Sequence, residues 1–187
     1  MTQVASILQR VASLLDTASI PFMVAGSFAS SVHGKPRTTQ DLDLVIDVDR
    51  KRVEAFIRSL PRDDWYADMD AAIDAVARRT MFNLIDLATG WKVDLVVRKE
   101  RPFSREEFSR RTTNEALGAS VPMATAEDTI IAKLEWSKAS GGSERQRRDV
   151  QGMLEMRGEH LDHEYVMRWV KELELEEEWT AALRTTT

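Results

Sequence analysis

Apolar positions along the chain switch between a helical and a strand period, and each switch marks an element. Val4, Ile7, Leu8, Val11, Leu14 and Leu15 recur at helical spacing and predict an amphipathic helix from Val4 to Asp16. The apolar run Phe22 to Ala25 has strand length and lies between Pro21 and Gly26. Gly26-Ser27 makes a turn into a small-residue helix, roughly Phe28 to His33, followed by a loop with Gly34, Pro36, Arg37, Thr38 and Thr39. A second strand, Asp41 to Ile46, alternates: Asp41 and Asp43 share one face, while Leu42, Leu44 and Ile46 share the other. A helix from about Arg50 to Leu60 follows, capped by Asp47 or Asp49, and Pro61-Arg62-Asp63-Asp64 breaks it. Trp65 to Arg79 reads as another helix. Thr80 to Leu87 and Trp91 to Val97 read as a hairpin across Ala88-Thr89-Gly90. A short helix within Pro102 to Arg111 and one more strand between Thr112 and Val121 complete this part. From Thr125, a good N-cap, the pattern is helical: one helix to about Ala139, a Ser140-Gly141-Gly142-Ser143 turn, a second from Glu144, and a third carrying Tyr165, Val166, Trp169 and Val170 behind Asp162. The expected fold is α+β. A small mixed β-sheet with packed helices spans residues 1–122, and a helical region, 123–187, completes a cleft against it.

Composition narrows this little. A chain of 187 residues, 43% hydrophobic and 30% charged, suits one soluble core with a helical appendage. Net charge is -5, which argues against a broad nucleic-acid grip but leaves room for a local basic groove. Cysteine is absent, so there is neither a disulfide framework nor a thiolate metal site. No apolar run approaches 18 residues and no signal-peptide pattern opens the chain, so a cytoplasmic protein without a membrane partner is expected. Asp63, Asp64, Asp68, Asp70 and Asp74 read as a solvated acidic face. The His160-x-x-His163 pair lacks a third zinc ligand in its vicinity.

The chemistry lies between residues 22 and 47. Asp41 and Asp43 repel each other unless water or a cation neutralises them. A hard divalent ion such as Mg2+ takes carboxylate oxygens and leaves positions for phosphate oxygens. Gly26-Ser27 at a helix start offers backbone N–H groups and a positive dipole end to an anion. Metal carboxylates beside a phosphate cradle point to phosphoryl or nucleotidyl transfer. In the hairpin, Asp94 sits in the middle of an apolar strand, a costly place without a partner. A three-residue loop would put Asp86 opposite Lys92, where a cross-strand ion pair explains it.

Gly26-Ser27 followed by Asp41-Leu42-Asp43 resembles the signature of the nucleotidyltransferase superfamily related to DNA polymerase beta. Arg37-Thr38-Thr39-Gln40 resembles its AbiEii/AbiGii toxin-like branch, where Arg-x-Thr-x-Asp-hydrophobic-Asp is typical. The resemblance implies a third acid on a neighbouring strand, and Asp94 is the best match. Asp41, Asp43 and Asp94 would then hold two Mg2+ ions, or Mn2+ in their place. It also implies a nucleotide site that includes Gly26, Ser27, Arg37 and Thr39. The Lys133-Leu134 pair and Asp149 match its later features, Lys133 binding triphosphate and Asp149 orienting the nucleophile or acting as a base. Read from spacing alone, Lys133 would lie at the surface.

The expected activity is metal-dependent transfer of a nucleoside monophosphate from an NTP to an acceptor, with release of pyrophosphate. The acceptor could be RNA or protein, as in toxin–antitoxin systems with an antitoxin-type protein partner; Arg145, Arg147 and Arg148 would favour RNA. A cationic aminoglycoside is the small-molecule alternative. The third reading is a non-catalytic nucleotide- or partner-binding protein.

Overall fold

Ile7, Leu8, Val11 and Leu15 bury one stripe of helix α1 (Gln3–Thr17) against a sheet, as their spacing requires. The structure, a computed structural model, describes residues 3–37, 41–116 and 119–184. The sheet has the order β3-β4-β5-β2-β1-β7-β6. Its centre is β1 (Phe22–Val24) and β2 (Leu42–Ile46), antiparallel to each other, with β5 (Trp91–Val97) parallel to β2. Outside β5 lie β4 (Met81–Asp86) and β3 (Trp65–Tyr66); outside β1 lie β7 (Ala119–Met123) and β6 (Thr112–Ala116).

The alternation in β2 survives intact. Leu42, Leu44 and Ile46 are fully buried, with Val93, Leu95 and Val97 beside them in register. Each such side chain contributes about 2 kcal/mol of apolar burial. This face packs with α1, α3 (Arg50–Ser59) and α4 (Met69–Arg78) into one core. The opposite face carries Asp43, Val45, Asp94 and Val96. The helices near it are α2 (Gly26–His33), α5 (Pro102–Arg110), α6 (Ala126–Ala139) and α7 (Glu144–Arg157). A second apolar cluster, including Phe103, Ile130, Ile131, Leu134, Val150 and Met153, joins α5, α6 and α7 to α8 (His163–Glu172) and α9 (Glu176–Leu183). Asp49, Thr125 and Asp162 cap helices as their side chains allow, accepting from the backbone N–H of Arg52, Asp128 and Tyr165.

Three expectations need correction. Trp65 to Arg79 is not one helix: Trp65–Tyr66 forms an edge strand on β4, and Asp68 caps α4 by accepting from Ala71 N–H at 2.7 Å. Pairing of Trp65 with Asp86 overrides helical pattern. Residues 112–123 hold two strands paired as β6 and β7, not one. The β4–β5 turn spans four residues, closed by Gly90 N–H to Asp86 O at 2.8 Å. Asp86 therefore faces Trp91, and Ile85 faces Lys92. The acid is paired instead with Arg10 at 2.7 Å and accepts from the Thr89 hydroxyl.

Candidate active site

The turn after β1 and the start of β2 meet because Gly26 has no side chain. Its φ is +61°, and a Cβ placed there would fall 2.0 Å from Asp43 Oδ2. Ala25 N–H donates to Asp43 O at 2.9 Å, locking the turn to the strand. Ser27 N–H points to the Asp43 carboxylate from the first turn of α2. The glycine and the acid, read in the sequence as parts of one signature, are thus in contact in space.

Asp43 and Asp94 are direct register partners on the parallel strands β2 and β5. Their Cα atoms are therefore about 4.8 Å apart, and both side chains stand on the helix-covered face. Burial pushes Asp43 above the usual carboxylate range, and the Asp94 charge adds to it; Ser27 N–H and Lys133 act in the opposite direction. Asp94 accepts from Asn83 Nδ2 at 2.6 Å and pairs with Lys92 at 3.2 Å. Asp41 precedes β2 and is half exposed, with Arg145 at 3.9 Å. Among the described residues, no three His, Asp or Glu side chains are already gathered around one point suited to a metal ion.

Opposite the acids is a cationic group. Arg37 donates to both oxygens of Asp149 at 2.8 Å each, in a fork. Lys133 Nζ donates to Asp149 Oδ2 at 2.7 Å. Lys133 is 4% exposed, so it points inward from α6 and not to the surface. Burial lowers its pKa, against the pull of Asp149. Burial would raise Asp149, but its bonds from Arg37 and Lys133 outweigh that and hold it below the usual range. Arg37 and Arg145 also donate to Ser27 Oγ, at 2.9 and 3.3 Å. Two cations thus reach the first turn of α2, and Lys133 is tied to one of them through Asp149.

Gly26, Ser27, Arg37, Asp41, Asp43, Asp94, Lys133 and Asp149 therefore lie around one centre. Thr39 lies outside the described residues. Sequence reasoning passed over Asn83, which a four-residue hairpin turn would have placed opposite Asp94. It also did not separate Arg145 from its neighbours. Arg148 turns outward to Glu144 at 3.9 Å, whereas Arg145, three residues earlier, reaches the centre.

No family model matches the sequence, and no curated protein does. Solved structures do resemble it. An antigenic nucleotidyltransferase-like protein from Paracoccidioides brasiliensis aligns over 97% of this chain and 92% of its own, with TM-score 0.58 and 17% identity. This chain has a nucleotidyltransferase fold. ANT(2'')-Ia, solved in complex with adenylyl-2''-tobramycin, aligns over 95% of this chain and 99% of its own, with TM-score 0.58 and 13% identity. The lincosamide antibiotic adenylyltransferase LnuA, solved with lincomycin bound, covers 82% of this chain and 96% of its own, with TM-score 0.54 and 10% identity. At such identities the likeness establishes the fold alone. Among the described residues, no helix is long and apolar enough to cross a membrane.

Proposed function

We propose that the protein is a metal-dependent nucleotidyltransferase that moves a nucleoside monophosphate from an NTP to an acceptor. The observation that carries this is the contact of Gly26-Ser27 with Asp43, with Asp94 in register beside it, Arg37 and Arg145 on Ser27, and Lys133 joined to Arg37 through Asp149.

The donor set fits Mg2+. It is all oxygen, and Asp43 is pushed up first by burial and then by the Asp94 charge, a strain on two neighbouring carboxylates that a divalent cation would relieve. Mg2+ keeps several waters and usually takes one or two carboxylates plus substrate phosphates, so a preassembled protein cage is not required. Asp41, Asp43 and Asp94 would hold Mg2+, which when bound supplies charge neutralisation at the α-phosphate and lowers the pKa of the acceptor hydroxyl. The remaining work falls to the chain. Ser27 N–H and the α2 N-terminus cradle phosphate oxygens. Arg37, Lys133 and Arg145 stabilise the charge that builds on the departing pyrophosphate. Asp149 holds the first two of these in place. The acceptor oxygen attacks the α-phosphorus as the bond to the β-phosphate oxygen breaks, and an acid of the centre, Asp94 or Asp149, takes the acceptor proton.

One acceptor reading is a small molecule. ANT(2'')-Ia and LnuA match nearly their whole lengths, and their structures carry an adenylylated antibiotic and an antibiotic. An RNA or protein acceptor, as for the toxin-like branch, rests on the Arg37 motif and Arg145. Drug resistance on expression would favour the first, and growth arrest the second.

Calorimetric titration of a non-hydrolysable NTP with Mg2+ tests the core of the proposal. Wild type should bind only with metal, and Asp41→Asn/Asp43→Asn should not bind. Unchanged binding by that variant would refute the assignment.

A further inference from the structure

Next to the acids, on the same sheet face, is a cavity of about 320 Å3. This lies within the range of small-molecule sites. Its floor is Val45 and Val96, each one side-chain position along its strand from Asp43 and Asp94, so it begins about 7 Å from them. Its roof is α6. Ala132 and Trp136 face it from this helix, next to Lys133, which reaches the catalytic centre. The cavity and the centre therefore lie side by side on one sheet face under one helix.

The cavity wall is chemically uneven. Three of the five N–H groups of Arg101 are engaged: it forks onto Glu135 at 2.5 and 2.6 Å and donates to Ser104 at 3.0 Å. Glu107, reaching in from α5, has no hydrogen bond among the described residues, although it is only 8% exposed. A buried carboxyl without a partner is costly, and a ligand could supply one. Burial, with Asp128 and Glu135 nearby, pushes Glu107 up to about 8, against Arg101 and Lys99, so at neutral pH it carries a proton to donate. Trp136 is 64% exposed at the mouth, and no ring among the described residues stacks on it. A polar edge reader beneath an open indole suits a flat uncharged ring better than a cation or phosphate.

Direction decides which ring. The leaving pyrophosphate is drawn to Ser27 and its cations, on the β1 side of Asp43. In-line displacement brings the acceptor from the opposite side, over β5 and β4, where Lys92 and Asn83 flank Asp94. The nucleoside must leave the α-phosphate in a third direction. Along the strands, that direction is the cavity. We propose that this cavity is the nucleobase pocket of the NTP site, with Trp136 as stacking platform and Glu107 as the group that reads the base edge. This rests on the nucleotidyltransferase reading and deepens it.

The test compares NTPs with inorganic tripolyphosphate, which has the same charged tail and no base. Binding of ATP, GTP, CTP, UTP and tripolyphosphate with Mg2+ is measured for wild type, Trp136→Ala and Glu107→Gln. Trp136→Ala should weaken every NTP by about fivefold or more, as loss of a base–aromatic stack does, and leave tripolyphosphate unchanged. Wild-type base preference should change between pH 7 and pH 9 as Glu107 loses its proton. Glu107→Gln, which keeps a donor at all pH values, should abolish that change. If NTPs bind but Trp136→Ala weakens tripolyphosphate equally, or nothing, the pocket assignment falls and the enzyme reading stands. If no NTP binds wild type, both fall.

Discussion

Substituting Gly26 tests whether the Gly-Ser turn and the acidic strand are one device. Gly26→Ala meets two separate costs. At φ +61° any L side chain is strained by about 1–2 kcal/mol. The new Cβ would also lie 2.0 Å from Asp43 Oδ2 and 2.8 Å from Asp43 Cβ. Rotation of Asp43 relieves the first contact. The second is fixed to β2, so turn and strand must move apart, a cost of about 1–3 kcal/mol for overpacking. The total, about 2–5 kcal/mol, corresponds to a loss of roughly 4–20 °C in melting temperature for a chain of this size. Gly90→Ala is the internal control: Gly90 has φ +70° but nothing within 4 Å of its Cβ position. It should pay the backbone strain alone. Thermal unfolding of both variants therefore isolates the steric part. Nucleotide titration adds a second readout, because Gly26→Ala displaces Asp43 and should lose Mg2+-dependent binding, whereas Gly90→Ala should keep it. Identical melting and identical binding in the two variants would refute the coupling.

Asp94→Asn should keep the fold and lose at least tenfold in Mg2+-dependent nucleotide affinity by calorimetry. Asp86→Ala should do the reverse, costing about 2–3 kcal/mol in urea unfolding because Arg10 and Thr89 lose a buried partner, with binding unchanged; the opposite pattern would make Asp86 the third acid. Asp149→Ala strands Lys133, 4% exposed, and should cost about 3–5 kcal/mol. Adding Lys133→Met should recover most of that stability but no nucleotide affinity, and wild-type stability in the single variant would contradict the buried pair. Glu107 titrates near 4.5 when unfolded and at about 8 when folded, so the folded state holds its proton more tightly. Wild type should lose stability relative to Glu107→Gln as pH rises from about 4.5 through about 8, and a melting difference flat across that window would disprove the shift.

The centre was readable because its parts are local. Strand alternation put Asp41 and Asp43 on one side, and the Gly-Ser turn stood within twenty residues of them. Asp94 needed the resemblance, because strand pairing across the sheet is not written in any one strand's pattern. Hairpin register was missed by one residue, a slip that moved Asp86 from Trp91 to Lys92 and hid Asn83. Arg10, seventy-six residues from Asp86, could not be paired with it from sequence. Trp65–Tyr66 carries too short a pattern to defeat helical periodicity, and only its sheet neighbour makes it a strand. Lys133 reads as a surface residue because its burial is created by Asp149, on a different helix.

Asp149 keeps opposite charges apart as much as it brings them together. Lys133 is close enough to Asp43, and Arg37 to Asp41, to interact electrostatically. Without a competing anion, those cations would neutralise the carboxylates that a metal ion needs. Asp149 draws them to the α7 side, so that Lys133 acts on Asp43 without an ion pair to it and the cations are grouped where phosphate oxygens would arrive. A triphosphate then has only to share these donors with Asp149, since Arg37 carries five N–H groups and Lys133 three. On this account, Asp149→Asn should weaken metal affinity measured without nucleotide, although Asp149 is not among the three acids proposed to hold the metal. Titration of Mn2+ alone, followed by its electron paramagnetic resonance signal, reads this directly. Equal Mn2+ affinity in wild type and Asp149→Asn would reduce Asp149 to a local brace for Arg37 and Lys133.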